Sequence, residues 1–427
     1  MKILFRFKSL ISSGFLKNIT ILSGGSGLAQ TIGILISPLL SRLYSPSDFG
    51  VVGSLLAITG VVSLVGSLKY DLAIVLEKNK IDSKSLIDLN VIIISFISLF
   101  SAIALFVSPY LFSGLNEQTE LVNLFPYAIP IIFFSALYNV YTARLNRDKE
   151  YKKMAILQIT RKLSTNLIQL FLGIFSASAL GLVLGNVFGV IIPLLFLVFI
   201  KNKSFSLYNY SSFKSIKDIS KKYLKFPFYI APQSFMNLVS GQLPIFVLGY
   251  YFNLNVAGAY FFTIKIVQVP AMFIGSSFRQ VFYQEVSYLK EKIKDVFNLY
   301  IKTTSILFFI ILIPALIIFL FGEDMFIFIF GNQWSLAGKF ASYMFLWYGS
   351  NVITGPARSL FLVYEKQKMV FYIDLILLGL RLSALLFLSI NFDSIVVIKW
   401  FSIISVIFNL FVIIWWLYFF NNSKLSI

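Results

Sequence analysis

Residues 301–321 read IKTTSILFFIILIPALIIFLF, and no position after Lys302 in this stretch is charged. A helix needs about 20 predominantly apolar residues to cross the hydrocarbon core of a bilayer. Stretches of similar length and character recur along the whole chain, and together they predict an all-α polytopic membrane protein with twelve transmembrane helices. The predicted spans are residues 18–40, 49–68, 86–108, 122–142, 155–175, 178–200, 226–250, 256–278, 301–321, 338–362, 370–390 and 395–420.

The composition of the whole chain agrees with this interpretation. Of its 427 residues, 58% are hydrophobic and 13% are charged, and the mean hydropathy is +0.85. Soluble globular proteins have roughly 45–50% apolar and about 25% charged residues, so a cytosolic enzyme, a disordered chain and a coiled coil are excluded. The chain has no Cys and no His, which excludes disulfides, Cys or His metal sites and nucleophilic catalysis that depends on either residue.

The distribution of positive charge predicts the orientation in the membrane. The net charge is +18. If the N-terminus is cytoplasmic, the connections and span ends on that side hold 28 Lys and Arg residues, and those on the opposite side hold only Arg42, Lys339 and Lys399. Because cytoplasmic loops are enriched in Lys and Arg, both termini are expected inside. Residues 1–17 are interpreted as a basic amphipathic arm on the inner face and residues 421–427 as a cytoplasmic tail, with the first span retained rather than cleaved.

The most basic and polar connection lies near the middle of the chain, at residues 201–225. It predicts an N-lobe of six spans at 18–200, a cytoplasmic inter-lobe loop, and a C-lobe of six spans at 226–420.

A weak internal repeat supports this division. Residues 41–50 read SRLYSPSDFG and residues 249–258 read GYYFNLNVAG, with their final glycines 208 positions apart. The spans that follow end in SLK at 67–69 and SFR at 277–279. Because each half has an even number of spans, the two lobes should have the same orientation, with a central cavity between them.

Cations inside or beside the predicted spans are the candidate binding residues. An Arg or Lys at the centre of a span costs about 2.5–3.5 kcal/mol on insertion scales, so it normally faces a cavity or a partner. A cavity lined by cations prefers an anion, and phosphate or pyrophosphate suits Arg forks and Lys point charges. An alternative is that the residues nearest the span ends only extend to the interface. The predicted substrate-binding residues are Arg42, Lys69, Arg161, Lys265, Arg279 and Arg381.

Acidic residues are scarcer, and two are predicted as ion-coupling groups or charge partners. Asp71 follows Lys69 at the inner end of span 2. Asp374 precedes Arg381 by seven residues, which places both on one helical face and leaves open an internal ion pair. Arg358 matches Arg144 in the repeat and is interpreted as structural.

No enzyme site is visible in the sequence. The outside connections are short and hold only scattered acids such as Glu117, Glu323 and Asp393, so neither a carboxylate pair nor a metal site is expected.

Four motifs carry a resemblance to a known family. GGSGLAQ at 24–30, SPLLSRLYSPSDFG at 37–50 and LKYDLAIV at 68–75 resemble the start of O-antigen-type oligosaccharide flippases, and FGNQWSLAG at 330–338 is similar to their stretch before span 10. This polysaccharide transporter family belongs to the multidrug/oligosaccharidyl-lipid/polysaccharide exporter superfamily.

The resemblance implies two six-helix lobes and alternating access. It implies translocation of undecaprenyl-pyrophosphate-linked oligosaccharide, of the O-antigen repeat-unit type, from the cytoplasmic to the periplasmic leaflet of a bacterial inner membrane. It further implies coupling to an H⁺ or Na⁺ gradient and, as partners, a polysaccharide polymerase and a chain-length regulator. Arg42, Lys69 and Asp71 lie within the matching motifs.

Two alternative functions were weighed. A drug antiporter of the same fold needs buried acids to hold cations, and span 1 at 18–40 has none. A membrane-embedded polysaccharide polymerase would be expected to have a larger outer loop with paired carboxylates.

Overall fold

The computed structural model describes residues 13–111, 119–199, 211–289, 291–364 and 366–424. Within these ranges every regular element is helical, and the predicted all-α polytopic fold is confirmed. The predicted arm at 1–17, inter-lobe loop at 201–225 and tail at 421–427 lie partly outside the described residues.

Each predicted span falls on a helix or on two consecutive helices. The first half of the chain contains α1 (Ser13–Leu43), α2 (Pro46–Val65), α3 (Tyr70–Leu76), α4 (Lys80–Leu111), α5 (Thr119–Asn123), α6 (Phe125–Arg147), α7 (Tyr151–Phe175), α8 (Ala179–Phe199) and α9 (Phe213–Lys222). The second half contains a π-helical turn (Phe226–Ile230), α10 (Ala231–Tyr251), α11 (Leu254–Leu289), α12 (Ile293–Phe330), a 3₁₀ turn (Asn332–Trp334), α13 (Ser335–Ile353), α14 (Gly355–Val363), α15 (Gln367–Asn391) and α16 (Ser394–Lys424).

By length and apolar composition, seven helices in the described part of the chain can cross a membrane, namely α2, α4, α6, α8, α12, α15 and α16. The other predicted spans coincide with α1, α7, α10, α11 and α13, which the same criteria do not select. For α7 the reason is visible, because Arg161 and Lys162 lie near its middle. The chain is a multi-pass helical membrane protein.

The helix of the second predicted span ends just before the LKYDLAIV motif, and the next helix begins inside the motif. α2 ends at Val65, and α3 begins at Tyr70. Between them Leu68 and Lys69 have φ angles of 48° and 63°. The left-handed region costs a residue with a side chain roughly 1–2 kcal/mol, and such strain persists only where the surroundings hold it.

Two helices begin with equivalent caps, one in each copy of the repeated motif. Ser45 Oγ accepts a hydrogen bond from the backbone N–H of Asp48 at 3.2 Å, and Asn253 Oδ1 accepts one from Val256 at 3.0 Å. Both are N-cap contacts that satisfy a free N–H of the first helical turn. Ser45 and Asn253 have the same offset as the final glycines of the motifs, as an internal duplication predicts.

The first turns of α2 and α11 are in direct backbone contact. A Cβ on Gly258 would lie 1.7 Å from the carbonyl oxygen of Pro46, and a Cβ on Gly50 would lie 1.9 Å from that of Leu254. No side chain fits at either position, which explains glycine at the end of both repeated motifs.

The described residues divide into two compact units. Unit 1 comprises the described residues up to Tyr44 together with Val51–Leu243, and unit 2 comprises Ser45–Gly50 and the residues from Pro244 onward. Ser45–Gly50 belongs to unit 2 because it packs on the first turn of α11. The lobe boundaries expected at 18–200 and 226–420 stay a prediction.

The region of the predicted inter-lobe loop contains the helix α9. Ser212 Oγ caps it by accepting the N–H of Ser215 at 3.2 Å. Ile219 is 4% exposed and packs into the core of unit 1 beside Tyr70 and Ile74. The buried apolar residue lies on one side of the helix, and the lysines lie on the other. The segment is therefore an amphipathic helix rather than a loop.

Candidate functional site

In unit 1 the predicted residue Lys69 lies at the strained break before α3. It is 8% exposed, as is Asp71. The Asp71 carboxylate accepts a hydrogen bond from Ser67 Oγ at 2.6 Å. The break therefore holds one buried cation and one buried, hydrogen-bonded acid within three residues of sequence.

Arg161 lies on α7, and its guanidinium faces an aromatic ring. The guanidinium carbon is 4.7 Å from the ring centroid of Tyr138 on α6, within the range of a cation–π interaction. Neither Arg161 nor its neighbour Lys162 forms a salt bridge within the described ranges. No carboxylate in this part of the structure therefore lies within salt-bridge distance of either cation.

Two further polar groups lie on α7, the helix that carries Arg161, and the sequence did not single them out. Asn166 is 1% exposed, and neither atom of its amide has a hydrogen-bond partner among the described residues. Gln158 Oε1 is also buried without a partner. Lys162 packs on Gly33 of α1, where a Cβ would lie 2.3 Å from Lys162 Cε. A signal was present in the sequence, since polar residues recur three or four positions apart along α7.

In unit 2, Lys265 lies on α11 beside an aromatic cluster. Its ammonium is 5.5 Å from the ring centroid of Phe49. Phe49 is 2% exposed and packs edge-on against Phe262 and Trp334, with 5.2 Å between ring centroids in each case. The FGNQWSLAG motif thus contributes Trp334 to the surroundings of Lys265.

Arg381 on α15 also lies against aromatic rings. Its Nε donates to Ser405 Oγ at 2.8 Å, and its guanidinium carbon lies 4.7 Å from the ring centroid of Trp347 and 5.2 Å from that of Phe401. The phenol of Tyr348 is close enough to interact with it electrostatically. No carboxylate forms a salt bridge with Arg381 in the described residues.

Asp374 pairs with a different arginine from the one considered in the sequence. Arg358 binds it with both terminal nitrogens, at 3.1 and 3.3 Å. The possible Asp374–Arg381 pair is therefore not formed. Spacing along α15 placed those two residues on one face, but α14 brings Arg358 to the same carboxylate.

The structure does not bring the remaining two predicted residues into these clusters. Arg42 is exposed in the last turn of α1, where a cation complements the free carbonyls of the helix end. Arg279 is exposed on α11.

The two arginine environments are alike, although Arg161 and Arg381 are 220 positions apart and do not share the offset of the repeated motifs. Arg161 reaches from the fifth predicted span of its half to a ring on the fourth, and Arg381 does the same, each at 4.7 Å. Tyr138 and Trp347, which supply the rings, are 209 positions apart, close to the offset of the repeated motifs. Each unit therefore contains one arginine packed on an aromatic ring without a carboxylate counter-ion among its described residues.

A separate polar cluster in unit 1 surrounds Glu77, which is 6% exposed. Its carboxylate accepts hydrogen bonds from the Lys222 ammonium, from Tyr223 Oη at 3.0 Å and from the Asn79 N–H at 3.0 Å. Burial alone would raise the pKa of Glu77, but these hydrogen bonds outweigh it and lower the pKa to about 2. Arg147 Nε also donates to the Glu77 carbonyl at 2.7 Å, so the cluster holds several elements together.

No group of three or more His, Cys, Asp or Glu residues that could hold a metal ion occurs in the ranges that the structure describes.

Comparison with known proteins gives both a family and a fold. Residues 39–338 match the family described as polysaccharide biosynthesis protein. No curated protein matches the sequence. The structure is similar to that of a multidrug-resistance transporter of the MATE family and MOP superfamily in an inward-facing conformation, with a TM-score of 0.72 and 14% identity over 92% of this chain and 95% of that one.

Two further solved structures share the fold. The lipid II flippase MurJ in an inward closed conformation has a TM-score of 0.74 and 15% identity, over 92% of this chain and 86% of its own. A MOP superfamily transporter from Pyrococcus furiosus, described as having a binding pocket of reversed polarity, has a TM-score of 0.61 and 14% identity over 96% of both chains. Because the family match covers more than half of the sequence, this chain belongs to the polysaccharide biosynthesis protein family, and its fold is that of the MOP superfamily transporters.

Proposed function

We propose that this chain is a flippase for undecaprenyl-pyrophosphate-linked oligosaccharide. It moves repeat units of the O-antigen type from the cytoplasmic to the periplasmic leaflet of a bacterial inner membrane by alternating access, and it makes or breaks no covalent bond. Its family supports a role in polysaccharide biosynthesis, and its fold is one that includes a lipid-linked substrate transporter.

The observation that carries the proposal is a pair of arginines in similar aromatic environments, Arg161 and Arg381. Each lies inside a predicted span, on an aromatic ring, without a carboxylate partner among the described residues. Such a guanidinium is costly in hydrocarbon unless an anion or water reaches it. A diphosphate would supply that anion, since its oxygens match the guanidinium fork.

The unpartnered amides on α7 support a polar ligand. Asn166 and Gln158 are buried without hydrogen-bond partners among the described residues, and leaving such groups unpaired costs about 1–3 kcal/mol each. Sugar hydroxyls or phosphate oxygens would satisfy them during transport. Lys69, Lys265, Arg42 and Arg279 complete the proposed set of substrate-binding residues.

Coupling to an H⁺ or Na⁺ gradient is part of the proposal. Asp71 is the better of the two acids, because it is buried and accepts one hydrogen bond from Ser67. Asp374 acts as the charge partner of Arg358. A polysaccharide polymerase and a chain-length regulator are the expected partners that use the translocated units.

The test is a flipping assay in proteoliposomes that contain the full chain. The substrate is a short polyprenyl pyrophosphate with a fluorescent oligosaccharide, and dithionite reports which leaflet it occupies. Arg161→Gln and Arg381→Gln are each expected to lower the initial rate about tenfold or more, because each removes a charge-assisted hydrogen-bond donor.

The matched control is Lys292→Gln, which removes an exposed cation that no proposed site uses, and it should transport like the wild type. Export of a cationic dye without movement of the pyrophosphate lipid would overturn the proposal in favour of a drug antiporter. Unchanged rates in both arginine variants would remove its structural basis.

A further inference from the structure

The orientation of α9 on unit 1 is fixed by its inward face. Ile219 is buried in the core of unit 1, Ser215 Oγ lies 2.7 Å from Ser85 Oγ, and Tyr70 Oη donates to the carbonyl of Ser220 at 3.1 Å. These contacts determine which side of the helix faces away from the protein.

Both ends of α9 are also anchored. Before the helix, the N–H of Ser211 donates to Asp88 Oδ2 at 2.9 Å. At its C-terminal end, Lys222 and Tyr223 both bind the buried Glu77 carboxylate. Because the helix is held at two ends and along one side, its outward face cannot roll into the protein without breaking these bonds.

The outward face carries a regular stripe that continues into the π-helical turn. Its members are separated by three or four residues and are all exposed, with Phe213 81%, Leu224 44% and Phe228 69% exposed. Between these apolar groups lie Lys217 and Lys221. The stripe therefore has apolar ends and a cationic centre, and we call it the outward stripe.

The charge of this surface is predominantly positive. Lys214 adjoins the outward stripe and is exposed, and neither it nor Lys217 nor Lys221 forms a salt bridge in the described part of the chain. Asp218 is the one acid in the sequence of α9, and Asp82 lines the same surface hollow as Lys214. The lysines thus outnumber the nearby acids.

We propose that the outward stripe of α9 binds the headgroups of anionic phospholipids in the adjacent leaflet. Helices at a membrane interface insert apolar side chains at the acyl boundary and place lysines among the phosphates. The helix leads directly into the π-helical turn and α10, a predicted span, which keeps it at the bilayer surface. Basic segments next to a span are attracted to anionic lipids.

This inference goes beyond the proposed transport function and does not depend on it. Lipid binding here would hold the end of unit 1 at the membrane surface, whatever substrate the protein carries.

The test uses the detergent-purified full chain and native mass spectrometry, with phosphatidylglycerol and phosphatidylcholine of identical acyl chains as probes. The stripe variant is Lys214→Gln with Lys217→Gln and Lys221→Gln. The matched control is Lys152→Gln with Lys292→Gln and Lys294→Gln, which removes three exposed lysines elsewhere. We expect the stripe variant to lower the ratio of bound phosphatidylglycerol to phosphatidylcholine about tenfold, and the control to leave it within about twofold.

Three outcomes would overturn the proposal. One is an equal decrease in both variants, which would reflect net charge alone. Another is an unchanged ratio in the stripe variant. The third is displacement of the bound lipid by excess inorganic phosphate, which would assign the lysines to a soluble anion.

A second measurement distinguishes lipid contact from a folding defect. The chain has no Cys, so Phe213→Cys gives a single labelling site on the outward stripe. A fluorophore there should be quenched by brominated phosphatidylglycerol in proteoliposomes, and less so when the three lysines are replaced. Equal quenching with and without the lysines would contradict headgroup binding.

Discussion

Arg358 and Arg381 are about six helical turns apart in the sequence. The structure gives them different partners. Arg358 holds Asp374 with two hydrogen bonds, at 3.1 and 3.3 Å. Arg381 donates to one serine and otherwise lies against the rings of Trp347 and Phe401. The first arginine has its counter-ion within the chain, whereas the second forms no salt bridge among the described residues.

This difference predicts the outcome of a double-mutant cycle. Arg358→Gln and Asp374→Asn should each destabilise the protein by up to about 1 kcal/mol, because the pair is partly exposed, and the double variant should lose little more than either single variant. Arg381→Gln combined with Asp374→Asn should show weaker coupling, because Asp374 interacts with Arg381 only electrostatically and forms no salt bridge with it. Thermal unfolding of the purified variants in one detergent measures this. Stronger coupling of Asp374 to Arg381 than to Arg358 would contradict the assigned pairing.

Lys265 gives a prediction about activity rather than stability. Lys265→Ala should abolish surface polysaccharide in a complementation assay while leaving membrane insertion intact, because it removes a phosphate counter-charge. Lys265→Arg should retain part of the function, since the charge remains above Phe49. Lys294→Ala serves as an exposed control. Wild-type complementation by Lys265→Ala would show that Lys265 does not contact substrate.

At the scale of elements, close contacts between helices determine where the chain requires glycine. Hydropathy does not predict these positions. Gly50 and Gly258 have no room for a Cβ because the first turns of α2 and α11 touch. Elsewhere on α2, Gly60 has nothing within 4 Å of the same position. Glycines on one helix therefore have different constraints.

Replacement by alanine should distinguish the crowded Gly258 from the unobstructed Gly60. Gly258→Ala is expected to destabilise the protein by about 3 kcal/mol, because the new methyl group meets the Pro46 backbone. Gly60→Ala should stabilise it by up to about 1 kcal/mol through helix propensity. The midpoints of thermal unfolding measure both. A Gly258→Ala variant as stable as Gly60→Ala would contradict the close approach.

The anchoring of α9 predicts a dependence on pH. The pKa of Glu77 falls from 4.5 to about 2 on folding, so its stabilising contribution is fully present above pH 4.5 and is lost as the pH falls toward about 2. Hydrogen exchange of the α9 amides should therefore accelerate across this range. Glu77→Gln should lose about 1–3 kcal/mol at neutral pH and flatten the dependence.

Glu150→Gln is the matched control for this prediction. Glu150 forms a salt bridge with Lys153 at 2.8 Å, but both side chains are partly exposed, so the effect on α9 should be negligible. An unchanged pH profile in Glu77→Gln would show that Glu77 does not anchor α9.

At the scale of the whole molecule, the orientation in the membrane is the property that the charge distribution predicts. Because the chain lacks Cys, Ser176→Cys and Ser212→Cys each introduce a single labelling site, in connections predicted to lie outside and inside. In intact cells a membrane-impermeant maleimide should label Ser176→Cys only. Labelling of Ser212→Cys under the same conditions would reverse the topology.

Much of the candidate site was visible in the sequence, because a cation within a long apolar stretch is conspicuous. Lys265, Arg161 and Arg381 were found in this way. Asn166 and Gln158 follow the polar spacing along α7, but that spacing does not show that their amides lack hydrogen-bond partners. The partner of Asp374 was missed because periodicity describes one helix at a time.

The sequence by itself determined the helical fold, since hydropathy acts locally over about 20 residues and needs no knowledge of distant contacts. It also determined which cations are candidates for binding an anionic substrate. Only the tertiary structure decided which of them have partners, that Arg161 and Arg381 lie in matching environments, and that α9 is anchored through Glu77. Those features depend on side chains that are far apart in sequence, and only packing brings them within hydrogen-bonding distance.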